Sequence, residues 1–371
     1  MTKIITSVVL SVFLITGCRF SAQKDKKDEG SRENDTYEYF VAPVGPENPR
    51  NSEADIIELK DGSLLLGWTD FYEGDAADHG PARIVGKIST DGGRNWGEKY
   101  TLIENDGGRN VMEVNFMRLK SDDIAIFYCR KETQSTDCRV MMQTSSDEGK
   151  TWGNPKQLSP SGNYTGLTNG RSIRLRTGRI LLETWVDNHD DEASCYCLIT
   201  DDEGETWRTS EYVKPAGGGC WENVCIELKD GKVLMLLRTQ LGSQYKCISS
   251  DGGETWSEPV PTMLTGSAAP AALTRVPKTG DILVIWTHNP DAITRAPDAP
   301  GYGRRNPLTS AISKDEGETW ENFKNLEEVP DDAWAYPAVT WVDSRALVTY
   351  FNYKGGLSLK LKSLPATWFY E

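Results

Sequence analysis

Five copies of one eight-residue phrase dominate the chain: STDGGRNW at 89–96, SSDEGKTW at 145–152, TDDEGETW at 200–207, SSDGGETW at 249–256 and SKDEGETW at 313–320. They start 56, 55, 49 and 64 residues apart, which suits one small four-stranded sheet per copy. A repeat of this period points to a propeller or a solenoid rather than to a single continuous core. Each copy reads Ser/Thr-x-Asp-x-Gly-x-Thr/Asn-Trp. The Asp (Asp91, Asp147, Asp202, Asp251, Asp315) can turn its carboxylate onto the N–H groups of its own turn. The Gly (Gly93, Gly149, Gly204, Gly253, Gly317) permits positive φ at the bend. The Trp (Trp96, Trp152, Trp207, Trp256, Trp320) can return to the core and wedge between neighbouring sheets.

The intervening segments choose the propeller. Ile56–Leu66 and Val224–Leu237 are β-rich runs that each enclose an Asp-Gly pair, the signature of a hairpin. Weaker versions occur at 113–128, 172–186 and 272–286, and a sixth copy without the phrase starts at Tyr336. The predicted fold is therefore all-β: a six-bladed β-propeller of four-stranded antiparallel blades over residues 37–371. Glu38–Ala42 is the expected extra strand that closes the ring against the last blade, and no helical period is readable anywhere.

The first 36 residues read differently. Lys3 followed by the apolar stretch Ile4–Ile15 forms an export signal over 1–17, too short to remain as a membrane span. Leu14-Ile15-Thr16-Gly17-Cys18 resembles a bacterial lipobox, which implies a lipid-anchored exported protein with Cys18 as the modified first residue. Residues 18–36 are charged and nearly free of apolar side chains, the composition of a disordered tether.

A net charge of −14 excludes the basic stripe that nucleic-acid binding requires, and gives an anionic substrate no global attraction. Affinity for an acid must come from a local arginine cluster. The three histidines (His79, His189, His288) are dispersed, no metal-binding spacing is present, and neither metal nor cofactor is expected. Apart from Cys18 there are seven cysteines. Cys129 and Cys138 flank a hairpin turn and could pair, whereas several of the others fall in apolar strands as small core residues.

The repeated phrase matches the Asp-box, and over roughly residues 37–369 the chain resembles the sialidase superfamily. That resemblance implies a pocket on the propeller axis with three arginines, a tyrosine nucleophile, a glutamate and an aspartate. Guanidinium forks suit a planar carboxylate. A tyrosine avoids the repulsion that a carboxylate nucleophile would suffer beside the substrate's own anion, but its pKa of about 10 demands a base. The segment Glu222-Asn223-Val224 ending in Leu237-Arg238 is similar to the fourth-blade pattern, with Glu222 as base and Arg238 as clamp. Arg305, eight residues before the fifth phrase, matches the third arginine, and Tyr336-Pro337-Ala338-Val339 resembles the nucleophile strand. Asp78 lies in the first-blade loop where the proton donor is expected, with Asp75 and Asp70 as alternatives. The first arginine departs from the family's Arg-Ile-Pro: the chain has Pro49-Arg50-Asn51-Ser52, and Arg83 and Arg171 are candidate substitutes for Arg50.

The resemblance implies a retaining exo-α-sialidase, a monomer without cofactors, acting on sialylated glycans or related acidic sugars. Two other readings fit the same residues: a glycosidase or lyase for another acidic glycan, and a non-catalytic glycan-binding lipoprotein.

Overall fold

The computed structural model describes residues 35–74, 76–187, 193–289, 305–354 and 356–371. Residues 1–34, with the expected signal, Cys18 and most of the tether, lie outside the described residues, as do Asp75 and His189.

The protein is built of antiparallel meanders in chain order. Arg50–Glu58, Leu64–Phe71, Ala82–Ser89 and Tyr100–Ile103 form one four-stranded sheet. Two more follow the same plan: one runs from Cys220–Glu227 to Val260–Thr265, the other from Ala272–Arg275 to Glu321–Glu327. Between the first of these and the other two lies a nine-stranded sheet made of two meanders, joined by a single parallel contact between Tyr164 and Cys138. In the last sheet, Trp334–Val342, Arg345–Asn352 and Leu359–Pro365 are completed by the N-terminal strand Tyr37–Ala42. That strand pairs antiparallel with Leu359–Pro365, as the sequence led us to expect of Glu38–Ala42.

The octapeptide turns knit the sheets together. In the second copy Asp147 Oδ1 accepts the N–H groups of Lys150 and Thr151 at 3.1 and 2.9 Å, and Ser145 Oγ accepts Gly149 N–H at 2.8 Å. The other four turns repeat the bond from the Gly N–H to the first Ser or Thr hydroxyl. The same glycine of each turn lies against the sheet before it: Gly149 on Leu65, Gly204 on Met142, Gly253 on Leu181, Gly317 on Leu234 and Gly93 on Leu347. The last contact joins the first four-stranded sheet to the final one, so the sheets follow one another in a closed circuit. Trp320 is buried, and the other four turn tryptophans are half-buried beside the apolar clusters between sheets.

The first strands of the sheets, together with Ile180–Asp187 of the third meander, interlock at the centre. Asp55 accepts the N–H of Phe116, Asn115 that of Arg171 and Glu183 that of Cys225, each bond crossing from one meander to the next. Buried backbone donors near the axis thus find partners without a continuous sheet.

Four of these first strands share an irregularity. Their pairing shifts between Ser52 and Asp55, Met112 and Asn115, Trp221 and Val224, and Ala335 and Ala338. The bulged residue is left-handed in each: Glu53 (φ 48°), Glu113 (φ 64°), Glu222 (φ 44°) and Tyr336 (φ 58°). A bulge re-aims a side chain, and backbone strain of this kind gathers at functional sites.

All seven cysteines from Cys129 onward are buried and free, so the pairing open to Cys129 and Cys138 is not present. Cys138 stands opposite Lys131 and Cys129 opposite Val140, which makes the two residues diagonal neighbours whose thiols meet through a hydrogen bond rather than a covalent bond.

Candidate active site

One cavity of about 660 Å³ is lined by Arg50, Asp78, Glu222, Arg238, Arg305 and Tyr336, so all six residues singled out in the sequence meet there. They arrive from three sheets and two connecting segments. Arg50 begins the strand Arg50–Glu58, and Asp78 lies in the loop that follows Leu64–Phe71. Glu222 and Arg238 come from the adjacent strands Cys220–Glu227 and Val233–Thr239. Arg305 precedes Leu308–Ser313, and Tyr336 sits in Trp334–Val342.

At the centre, the Tyr336 hydroxyl donates to Glu222 Oε1 at 2.5 Å, while Glu222 Oε2 accepts from Arg238 Nη1. Both partners of the first bond sit on left-handed bulges. The Tyr336 ring stacks on Phe351 with centroids 5.4 Å apart, which fixes the direction of its phenol. Burial pushes the Tyr336 pKa well above its ordinary value and the Glu222 anion adds to this, against the pull of Arg238 and Arg305. The phenol is therefore protonated at neutral pH, with a carboxylate in place to take its proton.

Arg305 donates from Nη1 to the Tyr353 hydroxyl at 2.6 Å and from Nη2 to the Ala268 carbonyl at 2.9 Å. Its guanidinium carbon lies 6.0 Å from the centre of the Tyr336 ring. Burial works against the charge of Arg238, but the Glu222 carboxylate prevails and holds it in the charged form; its Nε is a buried donor without an acceptor. A donor in that state is satisfied at little cost by an incoming anion.

Asp78 bonds to Arg50 Nη1, and its side chain remains 63% exposed toward the cavity. Burial raises its pKa, but Arg50 and then Lys131 prevail and hold it at about 2. Of the alternatives, Asp70 is fully buried and accepts from Asn48, Arg83 and Lys99, away from the cavity lining.

The substitutes considered for Arg50 lie elsewhere. Arg83 pairs with Asp70 and rests over Tyr72. Arg171 is 2% exposed and spends its donors on the carbonyls of Ala271, Asn169 and Pro337, tying neighbouring sheets together under the site. Its burial lowers its pKa to about 10.

The structure adds residues that the sequence alone did not single out. Glu113 occupies the third bulged carboxylate position and lines the cavity, with Oε2 buried and unbonded. Burial first, then the neighbouring Glu53, push its pKa well above the ordinary carboxylate value, which favours the protonated form. Lys131 reaches the same wall and donates to the Asp78 carbonyl at 2.8 Å. Tyr164, Trp185 and Trp221 supply aromatic surface. Nothing in Val111-Met112-Glu113-Val114-Asn115 signals positive φ, which is why Glu113 reads in sequence only as part of a strand.

Residues 62–348 match the BNR repeat-like domain family. The chain belongs to that family. The BNR-repeat protein is 27% identical to the sialidase of Micromonospora viridifaciens over 327 residues, 74% of this chain and 47% of that one. It thus spans about half the length of this curated relative. Among solved structures it superposes on the Hadza microbial sialidase Hz136 with a TM-score of 0.74 at 20% identity, covering 89% of this chain and 68% of the other. A protein of unknown function from Dyadobacter fermentans gives a TM-score of 0.70 at 19% identity, with 88% and 99% covered. The BNR-repeat chain is therefore all-β with the fold of the sialidase β-propellers. Among the described residues, no group of three His, Cys, Asp or Glu is placed to hold a metal ion.

Proposed function

We propose that the protein is a retaining exo-α-sialidase that releases terminal sialic acid, or a related 2-keto acid sugar, through a covalent Tyr336 intermediate. The observation that carries this reading is the 2.5 Å bond between the Tyr336 hydroxyl and Glu222. A binding protein needs guanidinium groups for an acid, but has no use for a phenol paired to a buried base. The similarity to the Micromonospora viridifaciens sialidase supports the same substrate class.

In this scheme the substrate carboxylate binds Arg238 and Arg305, and Glu222 takes the phenol proton as the Tyr336 oxygen attacks the anomeric carbon. Asp78 delivers a proton to the leaving oxygen and later removes one from the attacking water. Six four-stranded blades around this pocket are the architecture we assign, with the nine-stranded sheet counted as two. We also assign Cys18 as the site of a lipid anchor on an exported, monomeric protein. A Cys18→Ser chain recovered in the membrane fraction would refute that anchor.

The test of function is release of fluorophore from an aryl α-sialoside by residues 37–371, alongside Tyr336→Phe. Wild-type turnover with at least a roughly hundredfold loss in the variant is expected. An unimpaired Tyr336→Phe protein refutes the nucleophile. A wild type inert to sialosides but active on uronic-acid polymers would move the activity to another acidic glycan.

A further inference from the structure

We infer that Arg50 anchors Asp78 and Glu53 rather than gripping the substrate carboxylate, so that the clamp in this chain consists of two arginines, Arg238 and Arg305. This rests on the function proposed above.

An arginine has five N–H donors, and bidentate grip of a carboxylate needs two parallel ones. At Arg50 four are engaged. Nε donates to Ser52 Oγ at 2.7 Å, Nη1 to Asp78 Oδ1 and to the Ala76 carbonyl at 3.3 Å, and Nη2 to Glu53 Oε1. Ser52 Oγ closes the ring by donating to the other oxygen of Glu53. The guanidinium rests 4.5 Å from the Phe71 ring centre and 5.6 Å from that of Phe351, which holds it in plane. One N–H remains, too few for a fork.

Charge leads to the same conclusion. Arg50 and Glu53 are both nearly inaccessible, at 5% and 1% exposed, so each needs the other to be tolerated in the interior. With Asp78 the guanidinium already faces two carboxylates, and a third anion would meet a net negative group. Arg238 carries only one carboxylate, Glu222, and keeps its buried Nε unbonded. The bulge explains how the exchange arises. Glu53 occupies in its sheet the left-handed position that Glu222 and Tyr336 occupy in theirs, so the group aimed at the axis there is acidic. Arg50, three residues earlier, reaches the cavity beside it.

The charged groups acting on the anchored Asp78 are Arg50, Lys131 and Arg238, with Arg50 foremost. Removing Arg50 therefore frees Asp78 to take up a proton at higher pH, whereas removing Arg305 leaves Asp78 as it was.

The experiment uses the folded protein with 2,3-dehydro sialic acid, a planar transition-state analogue, and with an alkyl sialoside whose leaving group needs a proton. We expect Arg50→Gln to weaken analogue binding by no more than about fivefold, against roughly 30-fold or more for Arg305→Gln. The alkaline limb of kcat/KM should move up by more than about half a pH unit in Arg50→Gln and stay in place in Arg305→Gln. If Arg50→Gln does not fold, Arg50→Gln/Glu53→Gln leaves no buried carboxylate unpaired and is measured instead. Equal losses of analogue affinity in the two variants, or an unmoved limb in Arg50→Gln, would overturn the assignment. A wild type that neither binds the analogue nor turns over sialosides refutes the proposed function itself, a result distinct from either.

Discussion

Replacing Glu222 by Gln tests the centre of the site most sharply. The wild-type phenol of Tyr336 has a carboxylate 2.5 Å away, and burial keeps its pKa well above 10. Without that base, attack depends on the small fraction already ionised. At pH 7 a phenol of pKa above 10 is phenolate in fewer than about one molecule in a thousand. Turnover of an aryl sialoside should therefore fall by roughly a thousandfold or more, about 4 kcal/mol at the transition state. The residual rate should have its own signature. Loss of the Glu222 anion removes one cause of the raised pKa, while burial still opposes the phenolate and Arg238 and Arg305 still favour it. The surviving rate should climb about tenfold per pH unit between about pH 7 and 9, since phenolate grows in that proportion below its pKa. The assay is steady-state fluorophore release across that range, with a thermal melt at each pH to show that the variant is folded. Retention of more than a tenth of wild-type turnover at pH 7, or a residual rate indifferent to pH, would refute the base role of Glu222.

Asp78, held at about 2, is protonated only in acid. Turnover of alkyl sialosides should rise as pH is lowered from about 7 to 5, with aryl sialosides much less sensitive; parallel profiles would exclude Asp78 as donor. The first octapeptide turn offers a stability test. At Gly92 (φ 72°) a Cβ would meet only open space, whereas at Gly93 (φ 88°) it would stand 2.9 Å from Leu347. Gly92→Ala should cost about 1 kcal/mol and Gly93→Ala roughly 2–4 kcal/mol in denaturant unfolding; equal costs would contradict the inter-sheet contact. Asp147 and Asp202 are held at about 2 by the hydrogen bonds of their turns, and at Asp251 burial opposes the same bonds but they prevail, again at about 2. Their folded pKa values lie below the unfolded one, so their contribution is present above about pH 4 and disappears as pH falls through about 2. Melting temperatures should drop steeply across that window, and a flat acid profile would show that the turns do not carry this linkage.

The parts of this protein that were legible in its sequence are those written in residue types with narrow uses. Asp, Gly and Trp at fixed offsets announce the turns, and Asp61-Gly62 announces its hairpin, with Gly62 at φ 82°. Glu222 and Arg238 are legible because they share one hairpin, Trp221 standing opposite Arg238 in the register. The four bulges were not legible. Left-handed φ is usually signalled by Gly or Asn, and here it falls on three glutamates and a tyrosine, held by the packing of neighbouring sheets. For the same reason the missing Arg-Ile-Pro marked Arg50 as unusual, yet only the structure shows Glu53 at the bulge and Arg50 bonded to it. Arg171 resembles a clamp residue in sequence because chain position cannot tell a carbonyl-binding arginine under the floor from one in the cavity.

The pairing of Tyr37 with Ser363 brings the beginning and end of the folded chain side by side. The residues that line the cavity, from Arg50 to Leu357, all fall between these two positions in the chain. The circuit of sheets thus has no obligatory first residue. A circular permutant opened at Asp61-Gly62, with the old ends joined, should fold with the same six side chains around the same space, because the order in which the sheets are made is separable from the ring they make.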